Sequence, residues 1–298
     1  MAADEEANAG SVVCAEMASS SPEAEKPLQI DVGDVLRSKI PGHYNLVPRF
    51  VVNWLKRTLH QDEINEGLLR LAGKQDADFC EGALNELGVA YSVEGEENID
   101  TSKRRVIIVC NHPLGGLDGL TLIACFTRIY GGKVHVLVND ILMALKPLNG
   151  IFVPINKYGT QNRDLVRRMD EVFAAADPII IFPAGLCSRM QKDGSIADRA
   201  WRKMFITKSA EYRRDIVPVY FSGYNSDFFY KFARRQDRLG LKINYDMIYL
   251  PSEMFKSRDS RYIVKIGRPI AYNAVHAGKN AHDEAQRIRG VVYSLNAH

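Results

Sequence analysis

Val106-Ile107-Ile108-Val109-Cys110-Asn111-His112-Pro113-Leu114-Gly115-Gly116-Leu117-Asp118-Gly119 is the stretch on which the reading of this chain turns. Five apolar, largely β-branched residues run into a proline and paired glycines. A helical pattern, Leu120 to Phe126, leaves the turn. Strand-to-helix corners of this kind are where α/β folds present reactive groups. His112 titrates near neutrality and can take a proton from an attacking alcohol or amine. Asp118, six positions on, would hold the imidazole tautomer and stabilise the imidazolium. Gly115 and Gly116 let a substrate approach the backbone closely. Taken singly, Asp118 also suits a helix N-cap and His112 a hydrogen-bonded structural histidine. Together at a strand end they point to chemistry.

Outward from this corner the pattern repeats. Ile179-Ile180-Ile181-Phe182-Pro183-Ala184-Gly185-Leu186-Cys187-Ser188-Arg189 is a second β-branched run entering a Pro/Gly turn, with small residues and a guanidinium at its end. Gly150 to Lys157 is a short strand ending on a cation, and Ile216 to Gly223 is a fourth strand-plus-turn unit. This ordered set resembles the lysophospholipid acyltransferase superfamily, whose members are similar to glycerol-phosphate and lysophosphatidic acid acyltransferases. The resemblance covers about residues 80 to 270. It implies that His112 is the catalytic base and Asp118 its orienting carboxylate. It also implies an acceptor-binding block from Phe182 to Arg189, with Phe182, Pro183, Ala184, Gly185, Ser188 and Arg189 as substrate-binding candidates. Asn111, Gly115, Gly116 and Lys157 join them. No cofactor or metal is implied.

Two departures from the family pattern matter. Five residues separate His112 from Asp118, where four are common. The block reads Phe-Pro-Ala-Gly-Leu-Cys, so Ala184, Leu186 and Cys187 stand where glycerol-phosphate enzymes carry Glu, Thr and Arg. Arginine suits phosphate because its fork pairs with two oxygens, and none stands there in register; Arg189, two places later, is the candidate substitute. Both departures resemble the hemolysin-like branch that contains ornithine-lipid and amino-acid-lipid O-acyltransferases. The implied reaction moves a fatty acyl group from a thioester, on acyl carrier protein or coenzyme A, to the hydroxyl of a lyso-lipid, favouring an N-acyl amino-acid lipid. One alternative is a lysophosphatidic acid acyltransferase. Another is a non-catalytic peripheral lipid-binding protein on the same scaffold.

Composition fits a globular protein of 298 residues, 46% hydrophobic and 25% charged, with room for one sizeable core. Five cysteines without paired spacing argue for a reducing compartment and against a disulfide or zinc framework. No secretory signal pattern and no apolar run of about 18 residues is present. Residues 1–27 hold six acids against Lys26 and read as a disordered acidic tail; the remainder carries 38 bases against 30 acids, +8, within a whole-chain charge of +3. A basic body suits an acidic acyl carrier protein or an anionic membrane surface. No nucleic-acid recognition motif accompanies it. With the resemblance, the expected location is cytoplasmic, peripheral on the inner face of a bacterial cytoplasmic membrane.

Along the chain, residues 28–88 read as an N-terminal helical segment and 89–298 as the acyltransferase α/β domain. Helices are expected at 31–39, 49–60, 61–74 and 76–88. Beyond Gly88, strands at 89–94, 105–110, 134–138, 151–155, 178–182, 216–221 and 262–266 alternate with helices at 118–129, 161–175, 199–212, 226–237 and 281–295. That alternation predicts a mostly parallel mixed sheet of about seven strands with helices on both faces. In the second helix Phe50, Trp54 and Leu55 share an apolar face and Lys56 and Arg57 lie opposite, the make-up of an interfacial helix; a helix packed on the core is the plainer reading. Residues 228–238 interleave aromatics with bases and suit either a docking face or a core helix. Trp201, Arg202 and Lys203 could line a headgroup site or pack a helix. Cys110 and His112 would share one side of an extended strand, which allows an acyl-enzyme reading, although Cys110 sits in an apolar row.

Overall fold

The computed structural model describes residues 29–155, 163–241 and 244–297. Residues 1–27, read as an acidic tail, and Lys157 lie outside the described residues. Four helices open the chain: α1 (Val32–Lys39), α2 (Arg49–Thr58), α3 (Gln61–Arg70) and α4 (Asp76–Glu86). Strands β1 (Ala90–Glu94), β2 (Val106–Cys110), β3 (His135–Asn139), β4 (Phe152–Ile155) and β5 (Ile179–Ile181) follow. A two-residue ribbon, β6 (Arg189–Met190) with β7 (Ile196–Ala197), leads to β8 (Asp215–Phe221) and β9 (Arg261–Ile266). Helices α5 (Leu117–Tyr130), α6 (Arg163–Ala174), α7 (Met204–Tyr212), α8 (Asp227–Arg238), α9 (Leu250–Lys256) and α10 (Ala281–Ser294) fill the connections.

The seven-stranded sheet has the order β1-β9-β8-β2-β5-β3-β4. Every neighbouring pair is parallel except β8 with β9. The fold is thus the expected mostly parallel α/β sheet with helices on both faces. Its central strand shows why. In β2, Val106, Ile108 and Cys110 join the core under α4 and α5, while Ile107 and Val109 join the core under α7 and α10. A strand covered on both faces must be apolar at every position, and all five residues of β2 are buried. Leu68, Leu71, Phe79 and Leu84 extend the first core, so α3 and α4 are welded to the sheet.

One polar device at the opposite end of the strands fixes the second layer. Arg214 is fully buried, and its guanidinium donates to the carbonyls of Phe173 (2.8 Å), Asp177 (2.9 Å), Val172 (3.1 Å), Val106 (3.2 Å) and Ala175. The end of α6, the loop before β5 and the start of β2 are stitched by one side chain. The result places the carboxyl ends of β2 and β5 side by side, and the two glycine-proline turns leave from there.

Candidate active site

β2 delivers Asn111 and His112 to that edge. The Asn111 side-chain amide donates to the carbonyl of Phe221 (2.9 Å) and accepts its N–H (2.7 Å), locking the end of β2 to β8. The chain then turns at Gly115, whose φ is +80°; a Cβ there would lie 2.3 Å from Cys187 Sγ, so only glycine fits. Gly116 caps α5, and Asp118 lies within its first turn, fully buried. Asp118 is therefore not the N-cap. Its Oδ2 meets His112 Nδ1 at 2.9 Å and accepts the N–H groups of Leu114 (3.0 Å) and Gly115 (3.2 Å), while Oδ1 accepts that of Gly119 (2.9 Å). The glycine turn absorbs the extra residue in the spacing, and the carboxylate still reaches the ring.

Electrostatics at the pair shift both groups towards their charged forms. Burial opposes the imidazolium of His112, but the charge and hydrogen bond of Asp118, together with the charge of Asp198, outweigh it and raise its pKa. Burial also opposes the Asp118 carboxylate, yet His112 and the Leu114 and Gly115 N–H groups hold its pKa below the usual range. The side chain of His112 keeps 18% of its surface exposed, whereas that of Asp118 keeps none. The imidazole is reachable and its carboxylate partner is sealed.

The ring of Phe182, next after β5, stacks on His112 with centroids 4.1 Å apart. Pro183 and Ala184 are buried, and Gly185, at φ +67°, closes a turn by donating to the Phe182 carbonyl (3.0 Å). Beside this turn lies an apolar cavity of about 230 Å³ between β4, α6 and α7, with Pro154, Leu165, Met169, Phe182 and Phe205 in its wall. It exceeds the roughly 150 Å³ that can hold a benzene ring.

Beneath the histidine sits a carboxylate that the sequence reading passed over. Asp198 Oδ1 accepts the His112 N–H (3.2 Å) and the Ser188 hydroxyl (2.6 Å), and its Oδ2 accepts the Trp201 indole N–H (2.9 Å). Burial pushes its pKa up against these hydrogen bonds. The local signal available was Asp193-Gly194, a hairpin dipeptide that announces the β6–β7 ribbon delivering Asp198. Gly194 has φ +89°, and Asp193 accepts the Ser195 N–H (3.0 Å) and hydroxyl (2.7 Å).

Several expected site residues are occupied elsewhere. Arg189 corrects the expectation of a substitute anion fork: it is buried, paired with Asp246, and donates to the carbonyls of Cys187 (3.0 Å) and Ser188 (3.3 Å). Asn111 and Ser188, at 3% and 2% exposure, spend their polar atoms on Phe221 and Asp198 and do not offer them to a ligand. Lys56, expected to face phosphates, donates to Asp31 Oδ2 at 2.9 Å. Cys110 is fully buried with its thiol pKa driven well up by desolvation, and burial raises that of Cys187 to about 12. Neither suits a nucleophile. Trp201 is buried rather than lining a headgroup site.

A family model described as "Acyltransferase" matches residues 34–298. The chain belongs to the lysophospholipid acyltransferase superfamily. This acyltransferase is 44% identical over 266 residues to a lyso-glycine lipid O-acyltransferase of Bacteroides thetaiotaomicron, covering 89% of this chain and 97% of that protein. It is 42% identical to a lyso-glycine lipid O-acyltransferase of Phocaeicola vulgatus, covering 89% and 95%. It also aligns with the crystal structure of a 1-acyl-sn-glycerophosphate acyltransferase from Thermotoga maritima at a TM-score of 0.43 and 16% identity, over 82% of this chain and 96% of that one. As an acyltransferase it transfers acyl groups, and among its described residues no helix is long and apolar enough to cross a membrane.

Proposed function

We propose that this acyltransferase moves a fatty acyl group from a thioester, on acyl carrier protein or coenzyme A, to the hydroxyl of an N-acyl amino-acid lyso-lipid. The observation that carries the reading is the 2.9 Å contact between His112 Nδ1 and buried Asp118 beside the apolar cavity. Asp118 keeps the Nδ1 proton, so Nε2 serves as the base. It takes the acceptor's hydroxyl proton as the oxygen attacks the thioester carbonyl. The C–S bond then breaks, the imidazolium returns its proton to the thiolate, and an ester and a free thiol remain. A thioester is already activated, so direct attack suffices. The helix dipole at the start of α5 favours a developing oxyanion there, with the N–H groups of Leu117 and Asp118 as its candidate donors, since that of Gly119 is held by Asp118 Oδ1.

What the block lacks supports this acceptor. Cys187 stands at the family's arginine position and is buried, and Arg189 is committed to Asp246, so no fork from this block is free for a phosphate monoester. The two curated relatives act, by their names, on a lyso-glycine lipid. We read the protein as peripheral on a membrane: Phe50 and Trp54 are 72% and 44% exposed on α2, which buries no residue, and Arg57 is exposed beside them. Leu55 is half-buried on the same helix.

The test is thiol release from acyl carrier protein and acyl-coenzyme A with separate acceptors. The proposal expects turnover with a hydroxyl-bearing N-acyl amino acid and little with lysophosphatidic acid. The reverse preference overturns it.

A further inference from the structure

Among the described residues, the cavity beside Phe182 has one charged residue in its wall, Arg202. Its surroundings differ from those of the nearby arginines. Arg189 is paired with Asp246 and Arg199 with Asp237. Arg202 has no hydrogen-bond or ion-pair partner for its guanidinium among the described residues, and it is exposed. Its backbone is nonetheless held from both sides. The Arg202 N–H donates to the carbonyl of Pro183, in the turn that carries Phe182, at 3.1 Å. Trp201 before it is fully buried, with its N–H on Gln286 (3.1 Å) and its indole on Asp198 (2.9 Å). The sequence pattern extends a helix back to residue 199, but α7 starts at Met204, and these contacts tie the preceding non-helical backbone to the Phe182 turn.

A cation on an anchored backbone at an apolar slot, whose wall also holds the aromatic ring stacked on His112, selects an amphiphile with an anionic head. The slot takes the tail among Leu165, Val166 and Met169. The Phe182 ring forms part of that slot and also stacks on His112 at 4.1 Å, so a hydroxyl carried near the head of the amphiphile comes to the base. Resting on the acceptor class above, we infer that Arg202 is the anchor for the free carboxylate of the N-acyl amino-acid acceptor. A planar guanidinium pairs with both carboxylate oxygens, whereas an ammonium meets them as a point charge. Arg202 thereby supplies, from a different segment, the anion recognition that the Cys187 position lacks, at a place shaped for a carboxylate on a short headgroup.

The same cation could instead meet a phosphate of the donor, and kinetics separates the two. Acceptor and donor KM are measured for Arg202→Gln and Arg202→Lys, with an N-acyl amino acid and its carboxamide as paired acceptors. Arg202→Gln is expected to raise the acceptor KM about 10- to 100-fold, Arg202→Lys less, with the donor KM held. The wild-type preference for carboxylate over carboxamide should collapse in Arg202→Gln. Arg202 is exposed, so melting temperatures should match. A rise confined to the donor KM assigns the cation to the donor and overturns the inference, as does an unchanged carboxylate preference. If the wild type esterifies some other lyso-lipid but no N-acyl amino acid, the acceptor reading has failed and the anchor falls with it. If the wild type is active on the amino-acid lipid and Arg202→Gln matches it, only the anchor has failed.

Discussion

Asp198 Oδ1 accepts the backbone N–H of His112 at 3.2 Å, across 86 residues of sequence. The loop that carries His112 is therefore held from beneath by one carboxylate and from the side by another, Asp118. Asp198 is itself anchored: Tyr293 OH accepts its N–H (2.7 Å) and Arg289 donates to its carbonyl (2.6 Å). Asp198→Asn keeps the size but loses the charge and one acceptor. It is expected to lower kcat about 10- to 100-fold through a misplaced imidazole, with smaller changes in KM. Its acid limb should also move to lower pH, because Asp198 helps raise the His112 pKa. An unchanged pH profile would reduce Asp198 to a packing residue.

The pH dependence has a definite sign. A general base works when neutral, and the His112 pKa lies above its ordinary value of 6.5. The rate should therefore rise with pH through a midpoint above about 6.5. Asp118→Asn removes the main partner that favours the imidazolium while burial remains, so the midpoint should fall below that of the wild type. The rate should drop about a thousand- to ten-thousandfold as the tautomer is lost. A midpoint that stays put in this variant would contradict the pairing.

Stability rests on a site remote from chemistry. Arg214→Met would leave five carbonyls at the base of the sheet without their shared donor. Urea unfolding should show a loss of about 3 kcal/mol or more. A loss under about 1 kcal/mol would mean that water replaces the guanidinium without strain.

Membrane docking is testable at α2. Phe50→Ser with Trp54→Ser should weaken sedimentation with anionic vesicles at an unchanged melting temperature, since neither residue is buried. Trp54 touches Tyr249 edge-on with centroids 6.4 Å apart, so the double variant costs one surface ring contact. Undiminished sedimentation would leave α2 a structural helix.

What the sequence disclosed tracks the range of the interactions involved. The β2 run was legible because a strand buried on both faces must be apolar throughout, and the glycine turn because Gly115 has no room for a Cβ. The His112–Asp118 pairing spans six residues and is encoded in one turn. Arg189 was misjudged because its partner, Asp246, lies 57 residues away. Asp198 was missed for the same reason: its ligands come from three segments, and the Asp193-Gly194 signal gives the hairpin without its purpose. Arg214 reads as a surface cation until the carbonyls around it are seen. In α8 the alternation of aromatics and bases was ambiguous, and the structure divides it, with Phe229 and Tyr230 buried and Phe228 half exposed.

Single-turnover transfer by His112→Ala, with wild-type enzyme alongside and folding checked by melting, tests the role of the imidazole as base. With acyl thioester and a hydroxyl-bearing N-acyl amino acid, the wild type should form ester and free thiol in equal amounts. The variant should remain folded and lose about a hundred- to ten-thousandfold in rate. A folded variant that transfers the acyl group at the wild-type rate would contradict it.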